Sequence, residues 1–274
     1  MYSANEITVY EAKEVASIRE WKELEPGVVG QALGMVAAPL SWLVQKVVPE
    51  KAIQGVLEAA NWAGGQLADT GDILRDGEVS DIAELRCKSL ELSDRLADTV
   101  HNWAIGMGTA EGAATGATGL PGMAVDIPAI ITLALRTVHK IGLCYGFECR
   151  TEEDRQYVLG VLSASGANTM KDKIEALLTL RTIQEMVLKQ TWKKMAEKAA
   201  GQQLSKEGAI IAIRNLAKQL GINLTKRKAL QAIPVLGGGI GAAVNGSYIN
   251  DVGWAARRLF QERWLVENGK IMEI

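Results

Sequence analysis

Aromatic residues, cysteine and histidine are scarce in this sequence. Its 274 residues include three cysteines, two phenylalanines and two histidines, and aromatic residues make up 5% of the chain. Cys87, Cys144 and Cys149 show no repeated spacing, which favours reduced thiols over a disulfide framework. With only two histidines, the sequence gives little support for general-base catalysis or for a tetrahedral metal site. We therefore predict no metal site and no cofactor, and no motif identifies an enzyme.

An excess of charge of one sign is also absent. The chain has 30 Lys and Arg against 32 Asp and Glu, and this balance argues against a nucleic-acid partner, because phosphate binding needs a concentrated basic surface. Residues 1–15 have no basic segment followed by an apolar one, so we expect no secretory signal and a cytoplasmic protein. A mean hydropathy of +0.05 is high for a soluble protein and is compatible with a peripheral position at the inner face of the cell membrane.

Signals for β-strands are missing, since no extended run alternates apolar and polar residues. Apolar residues instead recur at helical spacing in 9–24 and 171–200. Asp81 with Glu84, and Thr151 with Asp154, have the spacing of helix N-terminal caps. The pattern predicts an all-α protein that forms a single large helical bundle. We expect one domain over residues 1–274, with 1–8 as a flexible tail.

Three segments are unusually poor in charge. Residues 26–45 and 229–250 contain no charged side chain, and 112–135 contains only Asp126. Each segment is long enough to cross a bilayer as one helix. Each also contains a proline and is rich in Gly and Ala, which makes a simple membrane-spanning helix doubtful. We predict closely packed Gly/Ala-rich helical hairpins, with prolines at Pro39, Pro128 and Pro234.

Small residues recur at four-residue spacing in these segments, which places them on one stripe of a helix and lets two backbones approach closely. The residues predicted to mediate this packing are Gly108, Gly112, Gly116, Gly237 and Gly241. Two interpretations stay open. The hairpins pack tightly within a soluble bundle, or they lie on or dip into a membrane. Seven tryptophans favour a membrane interface or a protein interface equally.

Asp126 is the most informative single charge, because it interrupts an apolar run. Its simplest role is the N-cap of a helix that continues to Tyr145, with Pro128 in the first turn. The alternative is a buried functional carboxylate. Helical spacing does not bring it to Arg136 or His139, so no acid–base pair follows from the sequence.

Two short motifs match enzyme signatures, but their context does not support an enzymatic function. Residues 237–242 formally match the dinucleotide-binding fingerprint, but Pro234 is incompatible with the strand that must precede it. The triplet at 69–71 matches the aspartic protease motif, yet that chemistry pairs two such loops in a β-rich fold.

Three blocks together carry a family resemblance: TGLPGMAVDIP at 118–128, YGF at 145–147 and IPVLGGGIGAAVN at 233–245. The chain resembles the EcsC family over nearly its whole length. The family is named after an open reading frame that accompanies an ABC-transporter operon in some bacteria, and it has no established reaction. The resemblance implies a bacterial, helical and hydrophobic product, and it supplies no catalytic residue. The positions matching the family pattern are Gly119, Pro121, Gly122, Asp126, Pro128, Tyr145, Gly146, Pro234, Gly237, Gly241 and Asn245.

The leading hypothesis is a non-enzymatic, membrane-associated protein that binds lipid or a membrane-protein partner, and oligomerisation is compatible with it. One alternative is a soluble helical interaction scaffold. A second is an unrecognised hydrolase that uses Asp126 with His139 or Asn245. The predicted binding residues are Asp126, Pro128, His139, Tyr145 and Asn245.

Overall fold

The computed structural model describes residues 6–25, 68–118, 120–167, 169–196 and 237–272, together with the isolated positions 55, 57 and 59. These ranges are mostly helical and contain no β-strand, so the predicted all-α fold is confirmed. The predicted segment 26–45 with Pro39, the start of 229–250 with Pro234, and Gly119 lie outside the described residues.

The described ranges form seven α-helices and one 3-10 helix. We number them α1 (Val9–Glu23), α2 (Gly71–Asp76), a 3-10 helix (Ile82–Cys87), α3 (Leu90–Gly116), α4 (Leu120–Cys144), α5 (Glu152–Ser165), α6 (Met170–Ala196) and α7 (Gly237–Glu267).

Side-chain caps define where several helices begin. Thr8 accepts a hydrogen bond from the backbone of Glu11, and the Glu11 carboxylate accepts one from Thr8 N, a complete capping box. Asp81 and Glu84 form the predicted box, although it starts a 3-10 helix. Thr151 caps α5 as predicted. Because the α1 cap uses Thr8, the ordered chain includes the end of the predicted tail.

The predicted N-cap role of Asp126 is wrong. Helix α4 begins at Leu120, so Asp126 and Pro128 lie within the helix. The Asp-x-Pro pattern imitates a helix start. The residues before it nevertheless include Leu120, Met123 and Ala124, which are good helix formers, and they extend α4 back to the turn that follows α3.

Helices α3 and α7 form an antiparallel pair at the centre of the molecule. Gly112 meets Gly241 near one end, and Asp94 bonds to Gln261 near the other. Helix α7 also contacts α1, α4 and α5, and α5 pairs with α6. Helix α7 is therefore the element around which the others are arranged.

An aromatic core lies at the end of the α3–α7 pair where Asp94 bonds to Gln261. Phe260 lies at its centre, with ring centroids 5.3 Å from Tyr157, 5.8 Å from Phe147 and 6.4 Å from Tyr145. The buried guanidinium of Arg263 lies 4.2 Å from the centroid of Phe147 and is paired with carboxylates of Asp154 and Glu267. These contacts tie α5 and the segment after α4 to α7.

Candidate functional site

Three helices bring their polar side chains together at one buried point. Asp126 on α4 accepts a hydrogen bond from the Thr115 hydroxyl of α3 at 2.6 Å and one from the Asn245 amide of α7 at 2.9 Å. Asp126 and Asn245 both have 0% exposure. Two of the predicted binding residues, separated by 119 positions in sequence, therefore meet directly. Thr115 was not predicted, because a lone threonine in an Ala/Gly-rich helix carries no signal.

The amide of Asn245 is only half satisfied within this cluster. Its Nδ2 donates to Asp126, whereas its buried Oδ1 has no hydrogen-bond partner within the described ranges. A buried acceptor without a partner is destabilising, so the amide is held here by the bond to Asp126 and by close packing. A Cβ on Gly112 would lie 2.8 Å from Asn245 Cβ, which shows how little room surrounds the amide.

The backbones of α3 and α7 touch beside this cluster. A Cβ added to Gly112 would lie 2.1 Å from Gly241 O, and one added to Gly241 would lie 2.0 Å from Gly112 O. A Cβ on Gly108 would lie 2.8 Å from Ile249 Cγ1. Only glycine fits at these positions. Gly116 lies at the same contact, because a Cβ on Gly241 would be 3.1 Å from its Cα.

The other predicted binding residues do not join the Asp126 cluster. Pro128 lies in α4 two residues beyond Asp126. His139 is buried on the same helix, 13 residues from Asp126, which corresponds to about 20 Å along the axis. Tyr145 follows the end of α4 and belongs to a second polar cluster. The five residues are thus divided into two groups. Asp126, Pro128 and Asn245 lie near the start of α4, and His139 and Tyr145 lie toward its end.

The second polar cluster surrounds Asp94 of α3, which sequence analysis did not select. Asp94 is buried and accepts hydrogen bonds from the hydroxyls of Tyr145 at 2.5 Å and Tyr10 at 2.7 Å, and from the Gln261 amide at 2.8 Å. Burial raises the pKa of Asp94, and the three donors act in the opposite direction. Burial also raises the pKa of Tyr145 well above its ordinary value. This cluster links α1, α3, α7 and the residue after α4.

The cluster at Asp126 lies in an end of the molecule with very few charges, which we call the charge-poor end. It comprises residues 102–118 of α3, 120–135 of α4 and 237–250 of α7, where Glu111 and Asp126 are the only ionisable carboxylates and no Lys or Arg occurs. Several apolar side chains are exposed there. The largest exposures are Val125 at 68%, Trp103 at 50% and Met107 at 46%.

Tryptophan and arginine side chains mark the boundary of the charge-poor end. The guanidinium of Arg136 lies 5.6 Å from the centroid of Trp103. On another side, the guanidiniums of Arg257 and Arg258 lie 4.6 and 5.1 Å from the centroid of Trp254. Ion pairs begin immediately beyond this boundary, as between Arg257 and Asp98 at 2.7 Å. The described residues therefore divide into a polar part and an apolar part.

The described residues offer no metal site and one candidate for a membrane-spanning helix. Within the ranges that the structure describes, no group of three or more His, Cys, Asp or Glu side chains could hold a metal ion. One helix in those ranges, Val125–Cys144, is long and apolar enough to cross a membrane, and 67% of its apolar window is buried in the protein. A buried core helix meets the same criterion, so this helix is weak evidence for a span.

Comparison with known proteins identifies the family. The model of the EcsC protein family matches residues 12–265. The uncharacterised protein YdbA of Bacillus subtilis (strain 168) is 25% identical over 192 residues, which cover 70% of this chain and 65% of the relative. No solved structure matches. The family match includes the Asp126 cluster, the α3–α7 contact and the Asp94 cluster apart from Tyr10, and this chain belongs to the EcsC protein family.

Proposed function

We propose that this protein is a non-enzymatic, membrane-associated helical protein that binds lipid by inserting its charge-poor end into one leaflet. The observation that carries the proposal is the boundary of Trp103 with Arg136 and Trp254 with Arg257 and Arg258. Tryptophan and arginine are favoured at the level of lipid head groups, where a ring meets the hydrocarbon and a charge meets water. Beyond this boundary the described side chains that are exposed are apolar or small, and Glu111 is half-buried.

The dimensions support insertion into one leaflet. Residues 102–116 of α3 extend about 20 Å along the helix axis, at about 1.5 Å per residue. The hydrocarbon core of a bilayer is about 30 Å thick, so this length exceeds one leaflet and falls short of a full span. Away from the helix ends, the backbone polar groups of this region are bonded within helices, as hydrocarbon requires.

The Asp126 cluster fits this environment. A carboxylate in an apolar setting needs donors, and Thr115 and Asn245 supply them from the two neighbouring helices. We assign the cluster the role of holding the three helices in register at this end. A membrane-protein partner in place of lipid would use the same exposed surface.

A soluble scaffold is the second candidate, and the burial of two-thirds of the apolar window in α4 favours it. Hydrolysis through Asp126 has no such support. His139 is about 20 Å away along the helix, and the carboxylate and its Asn245 partner are inaccessible to a substrate.

Flotation with liposomes tests the proposal. The full-length protein should float with vesicles, and Trp103→Glu combined with Met107→Glu should reduce the floated fraction by about tenfold, because a charge in hydrocarbon is strongly unfavourable. Leu178→Glu is the matched control. Leu178 is equally exposed, at 58%, but lies on α6 in the polar part. Wild-type protein that remains in the soluble fraction, with and without anionic lipid, overturns the proposal and supports the scaffold.

A further inference from the structure

A cavity of about 410 Å³ lies where the ends of α1 and α5 meet α6 and α7. Its volume is within the range of small-molecule sites. Trp21 and Trp254 both line it, and Trp254 also belongs to the boundary of the charge-poor end. The cavity is therefore on the polar side of that boundary, at the level where a lipid head group would lie.

The deepest charge in the cavity is the ammonium of Lys173. The residue is 4% exposed, and its Nζ donates to the main-chain carbonyls of Trp21 and Leu24, the latter at 2.7 Å. Nζ also lies 4.6 Å from the centroid of the Trp21 ring. Among the residues that the structure describes, no carboxylate forms an ion pair with Lys173. One of its three N–H donors is left for another acceptor.

The pKa of Lys173 is consistent with an ammonium that lacks a countercharge. Burial lowers this pKa to about 8, and nothing else contributes to the shift. A buried cation of this kind is stabilised by an anionic group placed beside it. The first chemical requirement of a ligand for this cavity is thus an anion.

The rim of the cavity has the opposite charge. Glu20 of α1 and Glu25, two residues beyond its end, are exposed, and Asp251 of α7 also lines the cavity. Arg258 lines it too, but its guanidinium is paired with Glu14 at 2.6 Å. A purely anionic ligand would meet repulsion at the rim. The second requirement is therefore a cationic group attached to the anion at short range.

We propose that this cavity binds a phosphate ester that carries a primary ammonium, the chemistry of an ethanolamine phospholipid head group. The phosphate contacts the Lys173 ammonium, and the ligand ammonium lies beside the exposed rim carboxylates of Glu20 and Glu25. The identification of the ligand as a lipid, in place of a water-soluble ester, rests on the proposed membrane function. Binding of the head group itself does not.

The test uses the full-length protein in a phospholipid-free non-ionic detergent, with sn-glycero-3-phosphoethanolamine titrated by calorimetry. We expect saturable binding with a dissociation constant below roughly 10 mM, and binding of glycerol 3-phosphate or of ethanolamine at least about tenfold weaker. At pH 8.5 binding should take up protons, because a phosphate beside Lys173 raises its pKa. Measurements in two buffers of different ionisation enthalpy detect this uptake.

Variants separate the two charges of the site. Lys173→Met should remove binding, while Lys171→Met, an exposed lysine on the same helix, should leave it unchanged. If Lys173→Met does not fold, Glu20→Gln with Glu25→Gln decides the question. This pair should weaken the complete head group by about tenfold and leave glycerol 3-phosphate unaffected.

The outcomes are distinct from those of the flotation experiment. Absence of saturable binding, or equal binding of the complete head group and its two halves, overturns the inference even if the protein floats. Binding of the soluble head group without any preference for vesicles that contain phosphatidylethanolamine supports the site and assigns it a water-soluble ester. Preference for those vesicles, lost in Lys173→Met, assigns the lipid.

Discussion

Asp94 shows how a single carboxylate can organise the polar part of this protein. It is buried, and the groups that bond to it are two tyrosine hydroxyls and one amide from elements distant in sequence. Removing a donor from a buried carboxylate costs most where water cannot take its place. The donors should therefore differ in importance according to their burial.

Replacing Tyr145 by Phe tests this ranking. The Tyr145 hydroxyl is fully buried and lies 2.5 Å from Asp94 Oδ1, so its loss should lower the free energy of unfolding by about 1.5–3 kcal/mol. Tyr10→Phe removes the same group from a half-buried position. That change should cost less than about 1 kcal/mol, because water can replace the hydroxyl. Urea unfolding measures both, and equal losses would contradict the ranking.

The burial of His101 predicts that the free energy of unfolding depends on pH. It is buried against Gly253 and Trp254, and burial with the nearby charge of Arg257 lowers its pKa to about 4. In the unfolded chain the pKa is about 6.5, so between these values the unfolded state binds a proton that the folded state does not. The free energy of unfolding should therefore fall as the pH is lowered from 6.5 to 4, by on the order of 2–3 kcal/mol.

Urea unfolding at several pH values measures this effect. His101→Gln keeps a side chain that can bond to Asn250 O and removes the titration, so its stability should fall much less over the same range. His139→Gln keeps His101 and should retain most of the decrease. A wild-type decrease that persists unchanged in His101→Gln would contradict this origin.

Sequence reasoning at the residue scale succeeded where a residue breaks a pattern. Asp126 stands out in an apolar run, and it does form a buried contact with Asn245. Its assigned role as an N-cap was wrong, since local signals cannot report that α4 extends back to Leu120. Asp94 and Lys173 were not selected because each lies in an ordinary amphipathic helix, and only tertiary packing reveals their burial.

At the scale of elements, the contact between α3 and α7 depends on glycines that allow two backbones to touch. The approach at Gly112 and Gly241 is closer than any side chain permits. By contrast, a Cβ on Gly106, six residues earlier in α3, meets no atom within 4 Å. Gly112 and Gly106 therefore form a matched pair for substitution, since both lie on α3.

Gly112→Ala should lower the free energy of unfolding by more than about 3 kcal/mol, because its methyl group would overlap the α7 backbone and force the helices apart. Gly106→Ala should raise it by about 0.5–1 kcal/mol, since alanine is the better helix former and the space is open. Thermal or urea unfolding measures both changes. Equal destabilisation by the two substitutions would show that α3 and α7 do not touch at Gly112.

Element positions were predicted well where periodicity and caps agree. The helix expected at 9–24 is observed at Val9–Glu23, and the one expected from residue 171 begins at Met170. The pairing of α3 with α7 could not be derived, because four-residue spacing of glycine indicates a contact stripe without naming its partner. Helices so distant in sequence are paired by the fold as a whole.

At the scale of the whole molecule, the described helices carry their charges toward one end and apolar surface toward the other. The polar part contains the Asp94 cluster and the ion pairs of Arg257, Arg258 and Arg263, while the charge-poor end exposes Trp103, Met107 and Val125. Water is a poor solvent for that second surface. We propose that lipid covers this exposed apolar surface.

Two fluorescent labels on one helix test this claim directly. In a Cys87→Ser background, which removes the exposed thiol, an environment-sensitive dye is attached at Ala114→Cys in the charge-poor end or at Glu91→Cys in the polar part. Both positions are exposed on α3, on opposite sides of Trp103. We predict that liposomes shift the emission of the dye at 114 to shorter wavelength and leave the dye at 91 unchanged. Equal emission at 114 with and without liposomes would contradict the account.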